Sequence, residues 1–273
     1  MSEQRTEPVA GTYGSFAEVP GPTGYNTEEN LRSLLIYCER RADELLAGDF
    51  PHSLQRNLQN NILVGVAASM LGRQRLRILD YGGGLGQSFI TLAAGIPDYQ
   101  RRIDYAICDL PDTIAYAKAN DIYSRRGIHC IRFVNDLSEI ARCDLAYLGS
   151  VLQYHPDWRG LLAAIAKLRP STVVLNQVPI VMQPPTFVMS QKISSRSRQP
   201  YWVFNIRELV EAFSESGFRL AARASEFFGD KDGSGDRSFP HLPADYHDFR
   251  RAVLFFKRVP IWHRILGRKQ SQR

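Results

Sequence analysis

Two hydrophobic rhythms alternate along most of this chain. Short, almost unbroken apolar runs at Arg77–Asp80, Ile103–Leu110, Cys130–Val134, Leu145–Ser150 and Ser171–Val178 read as strands buried on both faces. Between them lie amphipathic stretches, among them Gln87–Ala94 and Trp158–Leu168, that read as helices. Strand, helix, strand in succession predicts a mostly parallel α/β sheet. Upstream, Thr27-Glu28-Glu29-Asn30 opens a helix with an N-cap and early acids, and Leu31, Leu34, Leu35 and Tyr37 carry it to about Ala47. A second helix is expected from about Ser53 to Leu71. Both precede the first strand, and together they predict a helical cap, with a structural role or a substrate-binding one. Downstream, Ile206–Ser216 reads as a helix stopped by Gly217, and Phe218–Phe228 with Ala252–Arg258 as a C-terminal antiparallel hairpin.

Two segments lack either rhythm. Residues 1–26 are rich in glycine, proline and polar residues, and are expected to form a mobile or loosely docked arm. From Pro179 to Gln199, prolines, serines, glutamines and arginines give no clear period, which predicts a long irregular insertion. The expected organisation is thus an arm (1–26), a helical cap (27–72), a main domain (73–258) and a basic tail (259–273).

The chemistry concentrates at strand ends. The first strand runs into Asp80-Tyr81-Gly82-Gly83-Gly84-Leu85-Gly86 and then a helix. Glycines there let the chain turn sharply and bring bare backbone up to a ligand. A dinucleotide fingerprint, G-x-G-x-x-G, requires glycine at position 87 or 89, which are Gln87 and Phe89. The spacing present is an acid two residues before Gly82, then Gly84 and Gly86. That run resembles the nucleotide-binding loop of class I S-adenosylmethionine (SAM)-dependent methyltransferases, and the resemblance implies a Rossmann-like methyltransferase fold with SAM as cofactor. The chemistry agrees, because an ammonium group favours a neighbouring carboxylate and a pyrophosphate does not. The expected cofactor-binding residues are Asp80, Tyr81, Gly82, Gly84, Gly86, Asp109, Leu110, Asn135, Asp136 and Ser150. Asp109, at the tip of the second strand, is placed to accept from ribose hydroxyls, with Leu110 beside the adenine. Asn135 or Asp136 can take the adenine amino proton; Asp136 reads equally as a surface acid.

Further along, Ser150-Val151-Leu152-Gln153-Tyr154, Leu175-Asn176-Gln177-Val178-Pro179, Pro185-Thr186-Phe187-Val188 to Gln191, and Gln199-Pro200-Tyr201-Trp202-Val203-Phe204-Asn205 stand out. With the glycine loop they resemble a family of SAM-dependent methyltransferases encoded among bacterial surface-polysaccharide and lipopolysaccharide genes, over about residues 50 to 258. The resemblance implies methyl transfer to a sugar of a surface glycan or to a small metabolite. Gln177 departs from it, since that family usually carries arginine or lysine there.

Methyl transfer from a sulfonium needs alignment and exclusion of water, and a base only when the acceptor is protonated. His155, just after the fourth strand, is the candidate catalytic base; alternatively Pro156 turns it outward. Asp157 reads as the N-cap of the helix from Trp158. Gln153, Tyr154, Gln177, Gln191, Tyr201 and Trp202 are the candidate substrate residues, since amides and aromatic faces suit a sugar. Tyr201 and Trp202 read equally as core.

Composition narrows the function classes. With 273 residues, 44% of them apolar and 23% charged, the chain can bury a sizeable core. Cys38, Cys108, Cys130 and Cys143 show neither metal-ligand nor disulfide spacing, and the first residues lack a signal-peptide profile, so a cytoplasmic location is expected. The net charge of +6 lies in the last 17 residues: six Lys or Arg from Lys257 to Arg273, with no acid, leave 28 bases against 28 acids in the rest. A neutral body argues against a nucleic-acid partner. The tail alternates bulky and basic residues, as a peripheral membrane contact requires, or is simply solvated. The rival readings are a nicotinamide-dependent oxidoreductase and a SAM-binding module without catalysis.

Overall fold

Neighbouring residues of each central strand face opposite ways into two separate cores, which is why the strands read as unbroken apolar runs. In the computed structural model, residues 11–20, 28–48, 58–192, 198–226, 246 and 250–260 are described. Their strands are β1 (Thr12–Tyr13), β2 (Leu76–Tyr81), β3 (Ile103–Cys108), β4 (Ile131–Val134), β5 (Leu145–Gly149), β6 (Thr172–Val181), β7 (Phe187–Lys192), β8 (Arg198–Asn205), β9 (Phe218–Glu226) and β10 (Arg250–Arg258). The helices are α1 (Glu28–Ala47), α2 (Leu58–Met70), α3 (Gln87–Gly95), α4 (Tyr99–Arg102), α5 (Pro111–Asn120), α6 (Trp158–Lys167) and α7 (Ile206–Glu215).

The sheet runs β4-β3-β2-β5-β6-β10-β9, with β4 through β6 parallel and β10 antiparallel to both its neighbours. Leu79, Ala106 and Leu148 point into one core with Leu161 and Ile165 of α6 and Phe213 of α7. Ile78, Tyr105 and Tyr147 point into the other, with Cys38 of α1, Leu63 of α2, Phe89 of α3 and Ile114 of α5. This is a three-layer α/β arrangement of Rossmann-like type, with the expected C-terminal antiparallel hairpin. Burying each large apolar side chain contributes about 1.5–3 kcal/mol. A bidentate pair ties β2 to the start of β5 at the opposite end from the strand tips: Arg77 Nε and Nη2 donate to Asp144 at 2.9 and 2.7 Å.

Two expectations are corrected. The segment 179–199 is not an irregular insertion. β6 continues to Val181, and β7 and β8 form an antiparallel pair with Met189 opposite Tyr201 and Gln191 opposite Gln199. Phe187, Val188 and Met189 are all buried, so both faces are covered and no alternation was left to read. Nor are all of residues 1–26 loosely docked. Thr12 and Tyr13 pair with Met189 and Val188, covering the edge of β7, and Thr12 and Val19 are buried. The Phe16 ring lies 5.6 Å from that of Trp202.

All four cysteines are free and buried. No helix among the described residues is long and apolar enough to cross a membrane. The tail beyond Pro260 and most of the connection between β9 and β10 lie outside the described residues.

Candidate active site

Strand order reverses between β2, which continues to β3 and β4 on one side, and β5 on the other. Such a switch point opens a crevice at the carboxyl ends of parallel strands. A cleft of about 1120 Å³ lies there, lined by the ends of β2, β3, β4 and β5 and the loops that follow them.

Its floor is the glycine turn. Gly82 and Gly86 have φ of 74° and 101°, left-handed backbone that favours glycine. A Cβ at Gly82 would run into Val151, and one at Gly86 into the Tyr123 hydroxyl. Two buried tyrosines hold the turn from beneath. Tyr123 donates to the Leu85 carbonyl at 2.8 Å, and Tyr105 donates to Asp80 Oδ2 at 2.7 Å. The Gly82 amide donates to the Cys108 carbonyl at 2.8 Å, locking the turn to the end of β3.

Of the four carboxylates on the wall, the three at the tips of β2, β3 and β4 are in different states. Asp80 is only 1% exposed, and burial, with the nearby Asp109 charge, lifts its carboxyl to about 7 despite the Tyr105 bond. Asp109 accepts from the Gly84 amide at 2.8 Å and the Leu110 amide at 2.7 Å, one on each oxygen. Burial raises its carboxyl too, against those bonds and one from Thr113. With Thr113 counted, three of the four lone-pair positions of the Asp109 carboxylate are engaged, and one is left for a further donor. Asp136 lines the cleft but also caps the 3₁₀ turn Leu137–Glu139, accepting from the Ser138 amide at 2.7 Å. Hydrogen bonds from the Ser138 side chain and amide draw its carboxyl below the usual range.

Of the expected cofactor residues, Asp80, Tyr81, Gly82, Gly84, Asp109, Leu110, Asn135, Asp136 and Ser150 lie on the cleft wall, and Gly86 is tucked against Tyr123. Leu110 is 59% exposed, an apolar side chain left open at the rim.

The expected substrate residues divide. Tyr154 and the candidate base His155 are on the wall. His155 Nδ1 is buried with no hydrogen-bond partner among the described residues, and its carbonyl accepts from the Trp202 indole at 3.2 Å. Gln153 lies behind the wall, donating to Ser150 Oγ at 3.1 Å. Gln177, Tyr201 and Trp202 are not on the wall. Gln177 is buried in β6 with φ of 57°, in a bulge where β6 slips one residue against β10. Tyr201 packs with Val181, Phe187, Met189 and Val203, its hydroxyl 3.6 Å from Met189 Sδ. Trp202 sits between Phe16 and the His155 backbone, so it braces the site from outside. Gln191 is opposite Gln199 in register, and its side chain lies outside the described residues. Asp157 accepts from the Gly160 amide at 2.8 Å as the N-cap of α6.

Leu31, Leu34 and Gln199 are among the wall residues that the sequence did not reveal. Leu31 and Leu34 of α1 reach the cleft, but at three-residue spacing they are indistinguishable from an ordinary core stripe. Gln199 reaches it because β8 folds back beside the loop after β5, which nothing local announces. The turn after α5, by contrast, is held by charge: Arg125 pairs with Glu39, and Arg126 with Asp43 at 2.6 Å, joining that turn to α1.

No family model and no curated protein matches the sequence. Solved structures of similar fold do. A SAM-dependent methyltransferase from Clostridium acetobutylicum aligns over 85% of this chain and 100% of its own, with 10% identity and a TM-score of 0.51. The 1,6-didemethyltoxoflavin-N1-methyltransferase of Burkholderia thailandensis, solved with S-adenosylhomocysteine, covers 92% and 100% at 16% identity and 0.48. The [4+2]-cyclase SpnF covers 72% and 80% at 17% and 0.49. At such identity the first likeness is one of fold.

Proposed function

We propose that this cleft binds S-adenosylmethionine and that the protein transfers its methyl group to a small-molecule acceptor. The observation that carries the reading is the Asp109 carboxylate, fixed by the Gly84 and Leu110 amides at the mouth of a glycine turn that covers a second, buried acid. The residues fit the cofactor. A ribose hydroxyl finds the spare lone pair of Asp109, and the exposed Leu110 offers an apolar flank to a purine. Asp80 beneath the turn supplies negative charge for an amino-acid ammonium group. A pyrophosphate would meet Asp80, Asp109 and Asp136 with no arginine on the wall, which disfavours a dinucleotide.

When bound, the cofactor supplies a methyl group already activated by its sulfonium. The chain's own part is to orient the acceptor, close the cleft with Leu31 and Leu34, and receive a proton at His155 Nδ1 when the acceptor is a hydroxyl. Isothermal calorimetry with S-adenosylhomocysteine and NADH tests the reading. Binding of the first and not the second, abolished in Asp109→Ala, is expected. NADH binding with no response to S-adenosylhomocysteine would reverse it.

A further inference from the structure

We infer that the end of the cleft formed by Tyr154, His155 and Gln199 is a subsite for an uncharged, hydroxyl-bearing acceptor. This rests on the cofactor reading above and adds the chemistry of the second ligand. Two wall residues there keep buried polar atoms with no partner among the described residues: Nδ1 of His155 and Oε1 of Gln199. Leaving such an atom unpaired costs about 1–3 kcal/mol, so two together mark a place that a ligand completes.

A hydroxyl suits both groups. It donates and accepts, so it satisfies an imidazole in either tautomer and a carboxamide in either orientation. An ammonium only donates, and a carboxylate or phosphate only accepts.

Charge points the same way. Asp80, Asp109 and Asp136 stand at the cofactor end, at the tips of β2, β3 and β4. Of the side chains that the loop after β5 and strand β8 bring to the wall, those of Ser150, Val151, Tyr154, His155 and Gln199 carry no carboxylate, arginine or lysine, and the one acid among them, Asp157, is engaged through Oδ1 as the cap of α6. Lys167, the cation on the wall, sits at the far end of α6. An anionic acceptor would therefore be buried without a counter-charge, which is costly, and a cationic one would meet only the Asp157 carboxylate already committed to capping α6. Aromatic rings flank the position, with Tyr81 6.2 Å from His155 and Tyr154 6.4 Å from Tyr201. Of these, Tyr81 and Tyr154 are on the wall and offer rings to the C–H side of a sugar-like ring.

The backbone is committed to this arrangement. Ser150 adopts φ of 56° at the head of the loop, a conformation rare outside glycine and often kept at ligand sites. The Trp202 indole, backed by Phe16 of the docked N-terminal segment, fixes the His155 carbonyl.

The test is calorimetric titration of the full chain, saturated with S-adenosylhomocysteine, with neutral methyl glycosides of glucose, galactose, mannose and rhamnose. Glucuronate, glucose phosphate and glucosamine serve as charged counterparts. At least one neutral glycoside should saturate the protein, and the charged sugars should bind about tenfold or more weakly. Gln199→Ala and His155→Ala should each weaken the glycoside about tenfold while S-adenosylhomocysteine affinity holds within about twofold. The His155 ring nitrogen resonances should also shift on glycoside addition in the wild type. Binding by none of the neutral glycosides, equal binding by charged sugars, or indifference to both substitutions overturns the subsite alone. Failure of S-adenosylhomocysteine itself to bind overturns the cofactor reading and the subsite with it.

Discussion

Cofactor binding should expel a proton from Asp80. This carboxyl is sealed beneath the glycine turn, where burial lifts it to about 7, so it is half protonated at neutral pH. A ligand that brings positive charge favours the ionised form. If binding returns the carboxyl to its ordinary range near ~4, the protein releases about 0.9 proton per ligand at pH 6, about 0.5 at pH 7 and about 0.1 at pH 8. The same linkage makes binding about tenfold tighter at pH 8 than at pH 6. The sign for folding is opposite. A raised acid favours the native state below its unfolded value near ~3.9, and that contribution is lost as pH rises through about 7. The ceiling is about 4 kcal/mol, from ~1.36 kcal/mol per pH unit. Asp80→Asn imitates the protonated acid and can still accept from Tyr105. It should therefore remove both dependences and be the more stable protein at pH 8. Calorimetry of SAM binding in buffers of different ionisation heat, with wild type and variant side by side, cancels protons that belong to the ligand. Equal proton release by the two proteins between pH 6 and 7 would refute the placement of Asp80 against the cofactor's charge.

Three other outcomes follow from the site and its frame. Gly86→Ala forces an L side chain into left-handed backbone, at about 1–2 kcal/mol, and displaces the Tyr123 hydroxyl from Leu85, at about 1–3 kcal/mol more. Urea denaturation of the single and double variants with Tyr123→Phe should show a combined loss smaller than the sum by about 1 kcal/mol; strict additivity would mean the two groups do not collide. Asp109→Asn keeps an acceptor for the Gly84 amide but gives up charge, and should weaken S-adenosylhomocysteine about tenfold in a binding titration. Unchanged affinity removes the ribose role. For Asp144, burial alone would raise the carboxyl, but hydrogen bonds from Arg77 outweigh it and hold the value below the usual range. Its stabilisation is thus present above ~3.9 and lost as pH falls through the lowered value. Asp144→Asn should cost about 1 kcal/mol at neutral pH and nothing in strong acid, read from melting temperature against pH.

How much was legible beforehand follows from how local each determinant is. The turn Asp80–Gly86 could be read because its constraint is local: φ above zero and absent side chains must be written as glycine at those positions. The parallel strands could be read because burial on both faces leaves continuous apolar runs. The cap at Asp157 is a contact within three residues, and it too was visible. The β7–β8 pair was hidden, because covering both its faces erased the alternation that marks a strand.

The sequence by itself determined a parallel sheet, a glycine turn under an acid, and carboxylates at strand ends, all features set by neighbours a few residues apart. Only the tertiary structure decided which polar residues face the cleft. Gln177, Tyr201 and Trp202 are no less suited to a sugar than Gln199 and Tyr154. A bulge buries the first, a small core claims the second, and the third is turned to hold the His155 backbone. The direction of a side chain depends on strand register and on what packs behind it, and both are set by partners distant along the chain.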